Sequence, residues 1–272
     1  MRRKIFFFVF VLVVVVGAIS IWEWPRIRDA SLIPRCAFYG VSATYELSPE
    51  QASNAATIAA VAIRRGLPTR ATTVALSAAL QESKLLSLDY GDLDSVGLFQ
   101  QRPSQGWGPR QSLIDPVYSS NKFFSALTRH RNWQQLSIAD AAQAVQRSAA
   151  GSAYAVWESQ ARVISETLTD YPYSLTCYLH RYGSPSDALA KRKTALTHDF
   201  KQIFGLTSAL QSHPWGFSIA GNGSKDAQIA GWLVANADRF GIASVDTKLH
   251  SWSRRQWRKN SRDLGWIEVR FL

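Results

Sequence analysis

The sequence predicts a mainly α protein with a single N-terminal transmembrane helix, an all-helical domain and a small C-terminal α+β domain. Three observations support this prediction. An apolar stretch of 18 residues, 5–22, follows three basic residues at positions 2 to 4. Apolar residues at helical spacing, preceded by capping residues, recur between residues 48 and 170. Beyond residue 212, short strand-like stretches flank one apolar helix.

The N-terminal segment predicts the compartment. Eighteen apolar residues just span a hydrocarbon core at about 1.5 Å of rise per residue. Trp22 and Trp24 would then lie at the far headgroup level, and the basic cluster favours a cytoplasmic N-terminus. We therefore expect a single-pass protein of the cell membrane, held in the cytoplasmic membrane through residues 5–22. The alternative is secretion after signal-peptide cleavage, since residues 18–20 form an acceptable cleavage site.

The chain divides into five predicted parts. They are a membrane anchor at 1–28, a juxtamembrane connector at 29–47, a helical domain at 48–178, a linker at 179–212 and a small basic α+β domain at 213–272. Five helices are predicted in the helical domain, starting near residues 49, 69, 115, 137 and 153. The first has Ser48 as its N-cap, Gln51 completing a capping box and Gly66 as its stop.

The charge of the chain is concentrated at its C-terminal end. The net charge is +11, and residues 180–272 hold fourteen basic and seven acidic residues. Outside the cytoplasm the available polyanions are lipid headgroups and wall polymers, so we do not expect nucleic acid as a partner. Trp252, Trp257 and Arg254, with the neighbouring arginines, either bind an anionic wall polymer or pack within the domain.

The only two cysteines, Cys36 and Cys177, bracket the helical domain. In an oxidising compartment we expect a disulfide between them, the alternative being two unpaired buried thiols. Two cysteines without clustered histidines do not form a zinc site. No metal or cofactor is predicted.

Glu82 ends the apolar second helix and is the candidate catalytic residue. A general acid needs a carboxyl group that stays protonated near neutral pH, and burial against apolar neighbours favours that form. Glycosidases use such a carboxyl group to protonate the leaving oxygen. The alternative is a solvated glutamate at a helix end.

Two motifs in this region resemble a known superfamily. Glu82-Ser83, followed by Gly97-Leu98-Phe99-Gln100 and then Pro103, resembles the soluble lytic transglycosylases and goose-type lysozymes, in a branch found in actinobacterial envelope proteins. The resemblance covers about residues 48–170. It implies a lysozyme-like fold and the glycan strands of peptidoglycan as the substrate. It also implies Glu82 as the acid/base, Ser83 as a residue that orients the sugar, and Gly97 to Gln100 along the sugar cleft.

Other residues are candidates for substrate contacts or for a second acid. Gln100 and Gln101 offer donors and acceptors to N-acetyl groups and hydroxyls, and the aromatic rings of Phe99, Trp107 and Tyr118 either stack on sugars or belong to the core. A hydrolase needs a second carboxylate. The candidates for it are Asp92 and Asp94, whose alternatives are a solvated turn or a calcium-like group of oxygen ligands.

The sequence departs from the resembled families in two places. Where the transglycosylases have Ala-Tyr-Asn-x-Gly, this chain reads AAQAVQRSAAGSAYAVW, so Gln146 and Tyr154 are the candidates for those polar and sugar contacts. The C-terminal part resembles the zinc D-Ala-D-Ala carboxypeptidase fold, but its last strand holds no histidine and His213 has no acid seven residues on. These departures from the family pattern predict a module without zinc. Two functions remain open, namely a glycan-cleaving enzyme and a non-catalytic wall-binding scaffold.

Overall fold

The computed structural model describes residues 31–146, 151–180, 187–205, 209–220, 225–262 and 264–272. The predicted membrane segment lies outside them. Within these ranges no helix is both long enough and apolar enough to cross a bilayer. About 50% of the chain is helical and 18% is in strands, so the fold class is mixed α+β and not mainly α.

The helices follow the predicted order in the first part of the chain. They are α1 (Pro49–Arg64), α2 (Thr69–Ser83), α3 (Arg110–Leu113), α4 (Pro116–Leu127), α5 (Ile138–Gln146) and α6 (Glu158–Thr169). Short 3₁₀ helices cover Pro103–Gln105, Gly151–Trp157 and Pro172–Ser174. The predicted capping box is confirmed, because Gln51 N–H donates to Ser48 Oγ at 3.2 Å and Ser48 N–H donates to Gln51 Oε1 at 2.9 Å.

Helix α2 lies at the centre of the helical part. Every residue from 71 to 80 is buried, and α2 packs against α1, α4, α5 and α6. Its small side chains allow this because they let neighbouring helix backbones approach closely. The buried alanines of α2 are Ala71, Ala75, Ala78 and Ala79.

A three-stranded antiparallel sheet closes the two ends of the helical part. Its strands are β1 (Arg35–Tyr39), β2 (Thr44–Leu47) and β3 (Leu175–Tyr178), in the order β2-β1-β3. Two predictions are therefore wrong, since the connector 29–47 contains β1 and β2 and the domain 48–178 is not all-helical. The strands have four or five residues, and β1 pairs with β3 from the other end of the domain. Local periodicity does not indicate such a pairing.

The disulfide between Cys36 and Cys177 is confirmed. The two cysteines lie directly opposite each other in the β1–β3 pairing, and both side chains are fully buried. The cross-link therefore fixes both ends of the helical part at one point.

The C-terminal part contains a six-stranded antiparallel sheet with helices beside it. The strands are β4 (Leu210–His213), β5 (Gly216–Ala220), β6 (Ile242–Asp246), β7 (His250–Trp252), β8 (Trp257–Lys259) and β9 (Trp266–Phe271), in the order β4-β5-β9-β6-β7-β8. The helices are α7 (Leu189–Phe204), α8 (Asp226–Ala235) and α9 (Ala237–Phe240). The prediction of a linker at 179–212 is wrong, because α7 buries Leu196, Phe200 and Ile203 at helical spacing.

The tryptophan- and arginine-rich hairpin of β7 and β8 docks onto β3. Trp257 Nε1–H donates to the carbonyl of Leu175 at 2.7 Å, and Trp252 Nε1–H donates to Thr176 Oγ1 at 3.0 Å. Trp252 is fully buried and Arg254 is 5% exposed. Of the two roles left open by the sequence, these residues therefore take the packing role, and the polymer-binding role does not fit Trp252 or Arg254.

We predict that replacing both Cys36 and Cys177 with alanine lowers the free energy of unfolding. A cross-link over 141 residues restricts the unfolded chain, and for loops of that size the expected loss is about 4 kcal/mol. Urea unfolding followed by tryptophan fluorescence measures it, with the reduced native protein as the matched control. A change below about 1 kcal/mol would contradict this role of the cross-link.

Candidate functional site

A long groove opens beside the C-terminal end of α2. We call it the Glu82 groove; it has a volume of about 1260 Å³ and is lined by Glu82, the loop from Asp92 to Trp107, one face of α4 and the end of α5. Such a volume exceeds that of a typical small-molecule pocket, and it suits an extended ligand. Trp107 and Tyr118, two of the three aromatic candidates for sugar stacking, both line it.

The turn after α2 determines where Glu82 lies. Lys84 and Leu85 both have left-handed backbone conformations, with φ of 55° and 63°. Two amide side chains of α1 hold this strained turn. Gln51 Nε2–H donates to the carbonyl of Lys84, and Asn54 Nδ2–H donates to the carbonyl of Leu85, both at 2.8 Å. The helix therefore ends at a fixed point, with Glu82 in its last turn beside the groove.

Tyr154 is the direct partner of Glu82. Its hydroxyl donates to Glu82 Oε1 at 2.6 Å, and its side chain is fully buried. Because Tyr154 does not line the groove, the predicted sugar contact is wrong, and Tyr154 positions Glu82 instead. Among the described residues no side chain donates to the other carboxylate oxygen, Oε2.

The 3₁₀ segment that holds Tyr154 is itself bound to α2. Ser77 Oγ–H donates to the carbonyl of Tyr154 at 2.8 Å, and Trp157 Nε1–H donates to Gln81 Oε1 at 2.7 Å. The ammonium of Lys84 lies 4.1 Å from the centroid of the Trp157 ring. Contacts from Ser77 and Gln81 of α2 and from Lys84 after it thus fix the position of the Tyr154 hydroxyl beside Glu82.

Four of the predicted substrate-binding residues lie behind the groove. Ser83 is buried, and its hydroxyl lies 2.8 Å from the carbonyl of Leu98, to which it donates. Leu98 and Phe99 are fully buried, and Phe99 stacks on the ring of Phe123 at 4.6 Å. At Gly97, with φ of +76°, an added Cβ would lie 2.2 Å from the carbonyl oxygen of Leu113. The prediction that these residues contact substrate is corrected, because all four are buried and hold the groove-lining loop from behind, against α2 at Ser83, α3 at Leu113 and α4 at Phe123.

The three predicted glutamines, in contrast, all line the groove. Gln100 has a left-handed backbone, with φ of 46°, and accepts a hydrogen bond from Ser95 Oγ at 3.1 Å. Gln146 Nε2–H donates to the carbonyl of Phe99 at 2.7 Å. Gln101 exchanges backbone hydrogen bonds with Val96, so it is fixed in an isolated bridge. The glutamines hold the shape of the groove as well as lining it.

The two candidate second acids differ in their surroundings. Asp92 is exposed and lines the groove, and its side chain forms no ion pair with the described residues. Asp94 does not line the groove. Its carboxylate accepts from the backbone N–H of Ser104 at 2.8 Å and from Arg102 at 2.9 Å. These contacts, the Ser104 N–H first, lower the pKa of Asp94 to about 2.

Beside Tyr118, one wall of the groove holds three residues that were not predicted from the sequence. Lys122 and Ser125 lie on α4 and Arg129 lies just beyond its C-terminal end, so that together with Tyr118 they recur every three or four residues. Residues at this spacing share one helix face. The three- and four-residue spacing of these polar side chains is the signal that could have indicated them from the sequence.

The described residues contain no cluster of three or more histidine, cysteine or carboxylate side chains placed to hold a metal ion. His213 instead lies with its Nε2 2.8 Å from Ser218 Oγ.

No protein-family model matches this sequence, and no curated protein matches it significantly. The function must therefore be argued from the groove itself.

We predict that the loop around Asp94 loosens in acid. A carboxylate with a lowered pKa in the folded state stabilises that state above its ordinary pKa, near 4, and the contribution is lost as the pH falls through about 2. The protection of amides 94–107 against hydrogen exchange, relative to an unstructured chain at the same pH, should therefore fall between about pH 4 and pH 2. In Asp94→Asn the protection should be low throughout, whereas Asp89→Asn, at an exposed position, is the matched control. Equal pH dependence in Asp94→Asn and the native chain would contradict this assignment.

Proposed function

We propose that this chain cleaves the glycan strand of peptidoglycan, with Glu82 as general acid and base. The proposal is supported chiefly by one observation, a carboxyl group held by a buried tyrosine beside a groove of about 1260 Å³. The groove offers aromatic rings for sugar faces and glutamine amides for N-acetyl groups and hydroxyls. The resemblance of the Glu82-Ser83 and Gly97 to Gln100 motifs to lytic transglycosylases and goose-type lysozymes adds to it.

The proposed reaction has two proton transfers at one carboxyl group. In the first, protonated Glu82 donates its proton to the bridging glycosidic oxygen as the C1–O bond breaks, leaving positive charge on the sugar ring. In the second, the Glu82 carboxylate removes a proton from the nucleophile that forms the new bond to C1. Glu82 is thereby returned to its protonated form. Tyr154 keeps Oε1 in place, and Oε2 is the oxygen without a donor among the described residues.

The nucleophile distinguishes a transglycosylase from a hydrolase. A hydrolase uses water and a second carboxylate, whereas a lytic transglycosylase uses a hydroxyl of the muramyl sugar itself and forms an anhydro product. Asp94 is held in an ion pair outside the groove, and Asp92 is exposed to solvent. An exposed carboxylate stabilises a ring cation weakly, because water screens the charge. We therefore favour the transglycosylase route.

The setting proposed for this reaction is the outer face of the cytoplasmic membrane. It depends on residues 5–22, which lie outside the described residues. In the basic C-terminal part, Arg258 and Lys259 are exposed and remain available for an anionic wall polymer. That partner stays a prediction.

We predict that Glu82→Gln abolishes the release of soluble fragments from peptidoglycan. Loss of a general acid typically costs 10²- to 10⁴-fold in rate, and binding should be retained because the amide preserves the shape. Full-length protein in mild detergent, incubated with purified peptidoglycan, provides the assay. The matched control is Glu50→Gln, an exposed glutamate outside the groove. Native chain that binds without releasing fragments would overturn the proposal and leave the scaffold function.

We also predict that Tyr154→Phe lowers kcat about 10- to 150-fold and leaves KM unchanged. One hydrogen bond to a charged group contributes about 1.5–3 kcal/mol, and each 1.4 kcal/mol is a factor of about ten in rate. The hydroxyl acts on Glu82 and not on the substrate, so binding should be unaffected. Tyr171→Phe, at an exposed position, is the control. A rise in KM with unchanged kcat would mean that Tyr154 contacts substrate after all.

A further inference from the structure

The α4 wall of the Glu82 groove carries two positive charges that form no ion pair with the described residues. Lys122 lies on α4, Arg129 follows its C-terminal end, and both line the groove. Among the described residues neither forms an ion pair, and the ammonium of Lys122 lies 5.3 Å from the centroid of the Tyr118 ring. These two cations are therefore available to a ligand in the groove.

The other charges of the groove make this wall distinct. Arg102 also lines the groove, but it is engaged by Asp94 at 2.9 Å. Glu82 and Asp92 belong to the end of α2 and to the loop after it, not to α4. The groove thus has an acidic side and a basic side, and the α4 wall is the basic one. Positive charge along this wall attracts the anionic groups of a ligand to it.

We propose that Lys122 and Arg129 form a carboxylate-binding subsite, which makes the groove prefer glycan that carries carboxylates over neutral amino-sugar polymers. Arg129 can bind a carboxylate with two parallel hydrogen bonds, and Lys122 adds a point charge beside an aromatic ring. Neutral sugar hydroxyls need neither of these two cations for binding. This inference rests on the proposed function, since it names the substrate class of the same groove.

Two sources of the carboxylate are chemically possible. In a strand that still carries its stem peptides, the lactyl carboxyl of each muramyl sugar is bound in an amide, so the free carboxylates belong to the peptide. In a strand stripped of its peptides, the lactyl carboxylate is free. An N-acetylglucosamine oligomer has no carboxylate at all, so three ligands distinguish the sources.

The test measures the binding of these three ligands to full-length Glu82→Gln, which cannot consume them. We expect both carboxylate-bearing strands, or one of them, to bind about tenfold more tightly than the neutral oligomer of equal length. The preference should disappear in Lys122→Gln/Arg129→Gln and should weaken with added salt, because screening acts on charge and not on stacking. The carboxylate-bearing strand that binds more tightly than the neutral oligomer identifies the source of the carboxylate.

The matched control is Arg131→Gln/Lys201→Gln, which removes the same charge from exposed positions outside the groove. Equal affinity for all three ligands, or an equal loss in the control, would overturn the subsite. The proposed function would survive that result if the native chain still releases fragments. Failure of all three ligands to bind would count against both proposals.

Discussion

The hydrogen bond between the Tyr154 hydroxyl and the Glu82 carboxylate is the contact on which the arrangement of the groove depends. It joins the end of a helix buried over ten consecutive residues to a 3₁₀ segment that follows α5. Ser77 and Gln81 hold that segment from one side, while the amides of Gln51 and Asn54 hold the turn after Glu82 from the other. A carboxyl group held in this way loses little conformational freedom when a ligand binds. Such preorganisation favours proton transfer by a single carboxyl group.

Strand β3 connects this arrangement to the rest of the molecule. On one side it pairs with β1 through Cys36 and Cys177, and on the other it accepts the indole hydrogen bonds of the β7–β8 hairpin. Ser53 of α1 also donates to Asn236 beside α8, at 2.6 Å. The C-terminal part is therefore packed against the helical part through buried polar contacts.

The sequence was informative where the signals were local. Ser48, Gln51, Asp115 and Ser137 predicted helix starts because capping is decided within three residues. Glu82 could be placed near a helix end because it follows the last residues of the apolar run of α2. The pairing of β1 with β3 could not be predicted, since both strands are short and lie more than 130 residues apart in the chain.

Roles that depend on tertiary contacts were less predictable. Ser83 and Phe99 were expected in the cleft, yet both face the core, because the chain from Gly97 to Gln101 doubles back on itself and only Gln100 and Gln101 reach the groove. Tyr154 was expected on a sugar and lies instead under Glu82. No local pattern distinguishes a side chain that touches a ligand from one that supports its neighbour.

The most direct measurement of the central claim is mass spectrometry of the fragments that the full-length chain releases from peptidoglycan in heavy-oxygen water. The account predicts fragments with anhydromuramyl ends and without the heavy isotope, because the nucleophile is the hydroxyl of the sugar. Ends that incorporate the isotope would contradict the transglycosylase route and indicate a hydrolase. Fragments released equally by Glu82→Gln would contradict the role of Glu82 itself.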